Sequence, residues 1–130
     1  VVGDRPPGKK GWKIGIAALR KPNAPPTQFI FLENAAVATS GDAYQYLEMR
    51  GKRYSHIVNP HNGLGLTTRS SVSVIAPTGI QSDSLASAVS VLGPEKGLEL
   101  IKKEKGASAL IVIINSNGKR ETFQSQGFAE

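Results

Sequence analysis

Asp83 and Ser87 stand four residues apart in "SDSLASAVSVLG" (residues 82–93). On a helix that spacing sends both side chains from one face. A carboxylate and a hydroxyl there offer two hard oxygen donors, the kind that a small divalent cation such as Mg²⁺ takes together with phosphate and water. Spacing alone favours the plainer reading, a solvated helix face. A second group lies in "YSHIVNPHNG" (residues 54–63), where His56 ends an apolar run just before a Pro/Gly loop and His61 and Asn59 follow closely. Such loops often display functional side chains. Two histidines without a nearby carboxylate make a poor zinc site, and a lone histidine is more often structural. The third group is "TSGD" (residues 39–42), whose hydroxyls, acid and backbone N–H groups suit phosphate or ribose, or simply a turn.

These groups need elements to hold them. "GWKIGIAAL" alternates Trp12, Ile14 and Ile16 against Lys13 and Gly15, which predicts a half-buried strand. "KPNAPPT" (residues 21–27) breaks it as a turn. Two short apolar runs follow, residues 29–32 and 35–39, and "SGD" marks a turn after the second. "YQYLEM" and "RYSHIV" predict a hairpin around Arg50 and Gly51. "NPHNGLG" predicts a loop, because Pro60, Gly63 and Gly65 cannot continue a ladder. "SVSVIAP" alternates again as a strand. Thr78 with Gln81 three residues later matches a capping box. The helix it opens has an expected core stripe of Leu85, Ala88, Val89 and Leu92. Gly93-Pro94 ends that helix and starts a second, with Leu98, Leu100 and Ile101 as its apolar contacts and Gly106 near its end. "SALIVIIN" and "RETF" close the chain as a hairpin around Asn117-Gly118. There is no internal repeat. The expected fold is α+β, a mostly antiparallel sheet with a helical pair packed on one face.

Composition narrows the classes. The 130 residues suffice for one domain and are few for a complete enzyme. With no cysteine, disulfides, thiolate metal sites and cysteine nucleophiles are excluded. A net charge of +6 permits polyanion binding, but the basic residues come in scattered pairs without an aromatic platform, so no nucleic-acid partner is expected. No apolar run reaches membrane-spanning length. The opening "VVGDRPPG" has no Met-initiated signal region, and the chain is expected to be part of a larger protein.

Taken in order, "AVATSGD", "GKRYSHIVNPHNG" and "SVSVIAPTGIQSDSLASAVSVLGPEKGLEL" closely resemble the ApbE family of flavin transferases over residues 14–115. The resemblance implies the C-terminal, T-fold-like half of such a protein across residues 1–130, with the N-terminal half absent. It implies a Mg²⁺-dependent transfer of FMN from FAD to a Ser or Thr of an acceptor flavoprotein subunit, releasing AMP. By position it implies Asp83 and Ser87 as metal ligands and His56 as catalytic base and flavin-site residue. Thr39, Ser40, Gly41 and Asn59 are implied to lie at the cofactor. An extracytoplasmic, inner-membrane-anchored lipoprotein is implied as well. Asn59 and Asn62 stand where the family has Asp and Thr, and Ser87 where Thr is commoner. Those departures keep open a flavin- or nucleotide-binding relative without transferase activity, or an FAD hydrolase. A basic polyanion-binding module is the reading from another class.

Overall fold

Strand β6 (Arg69–Ala76) carries five consecutive buried residues, Ser70, Ser71, Val72, Ser73 and Val74. A strand buried without interruption must be covered on both faces. The computed structural model, which describes residues 1, 3–16, 19, 25–26, 28–42 and 45–128, shows the two covers. β6 is central in a four-stranded antiparallel sheet ordered β3–β6–β7–β8, with β3 at Ala36–Gly41, β7 at Ser108–Ile114 and β8 at Arg120–Gln124. On one face lies α1 (Gly79–Lys103), where Val72, Val74, Ala109 and Ile111 meet Ala86, Val89 and Ile101. On the other lies the antiparallel pair β1 (Trp12–Ile16) and β2 (Gln28–Leu32), where Ile16, Ile30 and Leu32 meet Leu110, Val112 and Phe128. The α+β expectation holds. The alternation in "SVSVIAP" separates the two faces, because Ser71 and Ser73 are buried beneath β1 and β2.

The helical pair is one element with a break. Gly93 has φ 78° and ψ 179°, which is not helical, and Pro94 resumes the helix. The second segment folds back on the first so closely that a Cβ at Gly97 would lie 2.7 Å from Val89 Cγ1. The N-cap is as expected: Gln81 N–H donates to Thr78 Oγ1 (3.3 Å). The core stripe is not. Ser82, Ala86, Val89 and Ser90 face the sheet, Leu85 and Ala88 are only half-buried, and Leu92 is exposed. The buried serines satisfy themselves, Ser82 Oγ donating to Gly79 O (3.0 Å) and Ser90 Oγ to Ala86 O (2.8 Å). A hydroxyl bonded back to its own helix is tolerated in a core, and its small size lets the helix approach the sheet.

β4 (Tyr46–Met49) and β5 (Lys52–Ser55) form the expected hairpin, turning through Arg50 (φ 51°) and Gly51 (φ 72°). Two positive φ angles match the twist of the flanking strands. The following loop is shorter than expected. Ser55 N–H donates to Leu66 O (2.8 Å), Leu66 N–H to Ile57 O (2.9 Å), and Val58 bridges Gly65, so pairing continues beyond β5 and only the tip turns. Gly65 permits this, since a Cβ there would overlap Ser55 O. The turn expected over residues 21–27 lies mostly outside the described residues. No helix among the described residues is long and apolar enough to cross a membrane.

Candidate functional site

The TSG segment is strand, not turn. Thr39, Ser40 and Gly41 pair with Ser73, Val72 and Ser71 of β6, because the ladder continues through the polar residues to the end of β3. The strand's period of two then splits them between faces. Ala38 packs on the α1 side and Val37 on the β1–β2 side, so Ser40 belongs to the helix face and Thr39 to the opposite one. The Thr39 and Ser73 hydroxyls share a 2.7 Å hydrogen bond there. Gly41 is required by proximity, since a Cβ would sit 2.5 Å from Ser70 O.

The acid that ends this motif turns inward. Asp42 is 2% exposed, and it joins three parts of the chain. Its Oδ2 accepts from Arg53 Nε (2.9 Å), its Oδ1 accepts from Ser70 N–H (3.2 Å), and its backbone carbonyl accepts from Arg53 Nη2. Arg53 also lies over the Tyr46 ring, 3.2 Å from its centroid. Asp42 is therefore committed to structure rather than open to a ligand. It clamps the end of β3 to β5, the strand that leads to His56. Sequence reasoning took Asp42 as one more polar turn group and passed over Arg53. The usable signal was an acid directly after an apolar strand with an Arg in the next hairpin.

His56 is exposed, and its Nδ1 lies 3.2 Å from the Gln45 carbonyl oxygen, which also accepts from the His56 backbone N–H (3.2 Å). A carbonyl only accepts, so Nδ1 carries the proton of the neutral ring and Nε2 presents a lone pair. Asn59 and Asn62 organise the loop tip: Asn59 Oδ1 accepts from His61 N–H (2.9 Å) and Asn62 Oδ1 from Leu64 N–H (2.9 Å). The first bond needs only a side-chain oxygen, which Asn and Asp supply equally.

Asp83 and Ser87 are both exposed on α1, and neither side chain has a hydrogen-bond or ion-pair partner among the described residues. Helix rise puts Ser87 about 12 Å along α1 from Gly79. The ladder puts Ser40, opposite Val72, about 13 Å from the Ala76 end of β6. The helix runs back along β6, since Gly93 and Pro94 share a cavity with Ser70 and Thr68. Ser40 and Ser87 therefore lie at one level on one side of the sheet, with Thr39 on the other side. No cluster of three or more His, Cys, Asp or Glu among the described residues could hold a metal ion. A cation at Asp83 and Ser87 would need its remaining ligands from water or a bound phosphate, which is how Mg²⁺ is ordinarily held.

The family model described as "ApbE family" matches residues 1–111. An Escherichia coli (strain K12) FAD:protein FMN transferase is 30% identical over 118 residues, covering 90% of this chain and 33% of the relative. A Haemophilus influenzae protein of the same name is 35% identical over 124 residues, covering 92% and 34%. Among solved structures, the apo form of Pseudomonas stutzeri flavinyl transferase ApbE superposes with a TM-score of 0.72 at 35% identity, covering 96% of this chain and 38% of that one. The Thermotoga maritima ApbE protein superposes with a TM-score of 0.72 at 31% identity, covering 92% and 38%. The chain thus spans about a third of the length of the curated relatives it matches. By sequence and by fold alike, it belongs to the ApbE family.

Proposed function

We propose that the chain is the C-terminal part of an FAD:protein FMN transferase and carries that enzyme's metal-ligating helix and its general base. The observation that carries this reading is the pair of unpartnered oxygens, Asp83 and Ser87, on an exposed helix face of an ApbE-family fold. In the reaction, a Ser or Thr hydroxyl of the acceptor flavoprotein attacks the FMN-side phosphorus of FAD. The new P–O bond replaces the bond to AMP, which leaves, and the hydroxyl proton passes to a base. His56 Nε2 suits that role, with Nδ1 held by the Gln45 carbonyl. Mg²⁺ at Asp83 and Ser87 would neutralise charge building on the pyrophosphate oxygens. Ser40 and Gly41, at the end of β3, would approach the nucleotide, with Thr39 behind them supporting the strand through Ser73. Asn59 would shape the flavin side by holding the loop after His56. The missing walls of the pocket would come from an N-terminal half, and the whole protein would act outside the cytoplasm as a membrane-anchored lipoprotein.

Asn59 and Asn62, standing in motif positions usually held by Asp and Thr, favour a second reading in which FAD is bound or hydrolysed without transfer. The full-length protein tests both. FAD binding with and without Mg²⁺ separates a flavin protein from a simple basic module. Covalent flavin on a co-expressed acceptor, seen as in-gel fluorescence, supports transfer. FMN and AMP released without labelled acceptor supports the second reading, and no Mg²⁺-dependent FAD binding would refute both.

A further inference from the structure

Arg69 opens β6 opposite Ile114 of β7, at the end of the sheet away from the start of α1. Its Nε is the one buried side-chain nitrogen or oxygen among the described residues that lacks a hydrogen-bond partner. Arginine stays charged at any physiological pH, so that N–H cannot be relieved by deprotonation. Native structures rarely leave such a donor without an acceptor, and each instance asks for a reason. Arg69 lines an open cavity of about 610 Å³ at the end of the sheet with Arg53, Thr67, Thr68, Asn115, Ser116 and the β7 residues Ile113 and Ile114. Among the described residues no carboxylate lines it. Among the described residues, Asp42 is engaged by Arg53 and Ser70 and Glu121 by Asn115 Nδ2 (2.8 Å), while Glu48 stands opposite Arg53 in the β4–β5 ladder. Asp42 offsets Arg53, and Arg69 has no ion-pair partner among the described residues.

We propose that this cavity binds a phosphate-class oxyanion, separately from the site of Asp83, Ser87 and His56. A phosphate in the cavity meets the Arg69 guanidinium, and a small side-chain shift that uncovers Nε lets it accept from Nε and one Nη in the parallel geometry that guanidinium offers tetrahedral oxyanions. The Thr67, Thr68 and Ser116 hydroxyls supply further donors, and the two N–H-bearing arms of Arg53 not fully consumed by Asp42 close the cradle. The volume suits a group from inorganic phosphate up to a nucleoside monophosphate. Both sources share the same chemistry.

The test is a titration of the full chain, followed by NMR at the Arg69 Nε–H, with inorganic phosphate and with AMP. Sodium chloride at matched ionic strength removes general screening. The expected result is a saturable shift of the Arg69 Nε–H with Kd on the order of 1 mM or tighter. Arg69→Gln should weaken binding at least about ten-fold, with Arg69→Lys intermediate because it keeps charge but loses the fork. AMP binding much tighter than phosphate assigns the site to nucleotides, and equal affinities assign it to the free anion. Absence of a saturable shift at roughly 10 mM ligand overturns the proposal, as does unchanged affinity in Arg69→Gln. If Arg69→Gln does not fold, the wild-type Nε–H titration decides alone.

Discussion

Replacing Asp42 by Asn should loosen the joint between the TSG strand and the His56 loop. The carboxylate is 2% exposed and the Arg53 side chain 18%, so solvent screens the pair little. At the 2.9 Å Nε–Oδ2 contact, an effective dielectric near 20 gives a gross attraction on the order of 6 kcal/mol. Desolvation offsets part of that, but breaking a buried pair also strands the remaining charge. Asn has one oxygen, so it either accepts from Ser70 N–H and turns its NH₂ donor toward Arg53 or accepts from Arg53 and leaves Ser70 N–H unpaired. The expected loss is about 2–4 kcal/mol, which for a domain of this size lowers Tm by roughly 8–16 °C. A double-mutant cycle with Asp42→Asn and Arg53→Met isolates the pair. Its coupling energy should be about 1.5–3 kcal/mol by chemical denaturation. In the full-length protein, the same Asp42→Asn change should weaken FAD binding, since β3 and the strand before His56 lose their clamp. A coupling below about 0.5 kcal/mol would show the pair to be no stronger than a surface ion pair and would refute the reasoning.

Other perturbations separate structure from chemistry. Asp83→Asn in the full-length protein should cut Mg²⁺-dependent FMN transfer by orders of magnitude while moving Tm, measured without metal, by little; Ser87→Ala should act the same way less severely, because water replaces a neutral ligand easily. His56→Ala should lower transfer by roughly 10²–10⁴-fold in an acceptor-labelling assay without destabilising the fold, since among the described residues the exposed ring is tied only to the Gln45 carbonyl. Thr78→Ala should cost about 1 kcal/mol in a urea melt by removing the helix cap. Gly97→Ala should cost about 1–3 kcal/mol, despite the better helix propensity of Ala, because the added Cβ meets Val89 Cγ1 at 2.7 Å and neither helix segment can move away from the sheet cheaply.

Much of the fold was legible because local chemistry decides it. Gly51 supplies the positive φ that a tight hairpin turn needs, Thr78 with Gln81 can begin a helix, and Gly93-Pro94 can only interrupt one. The motif order over residues 36–100 likewise sufficed to indicate the family. Which face of α1 is buried was not legible. Apolar periodicity chose Leu85, Ala88, Val89 and Leu92, whereas the sheet accepted Ser82, Ala86, Val89 and Ser90, because close approach favours small residues whose hydroxyls bond back to the helix. Nor could the sequence tell that Thr39 and Ser40 face opposite ways, since that follows from the ladder with β6 running through the TSG segment. The fate of Asp42 was decided last and farthest away. An acid reads the same in a chain whether it meets solvent, a ligand or a buried arginine, and only the tertiary fold brings Arg53 within 2.9 Å to choose the third.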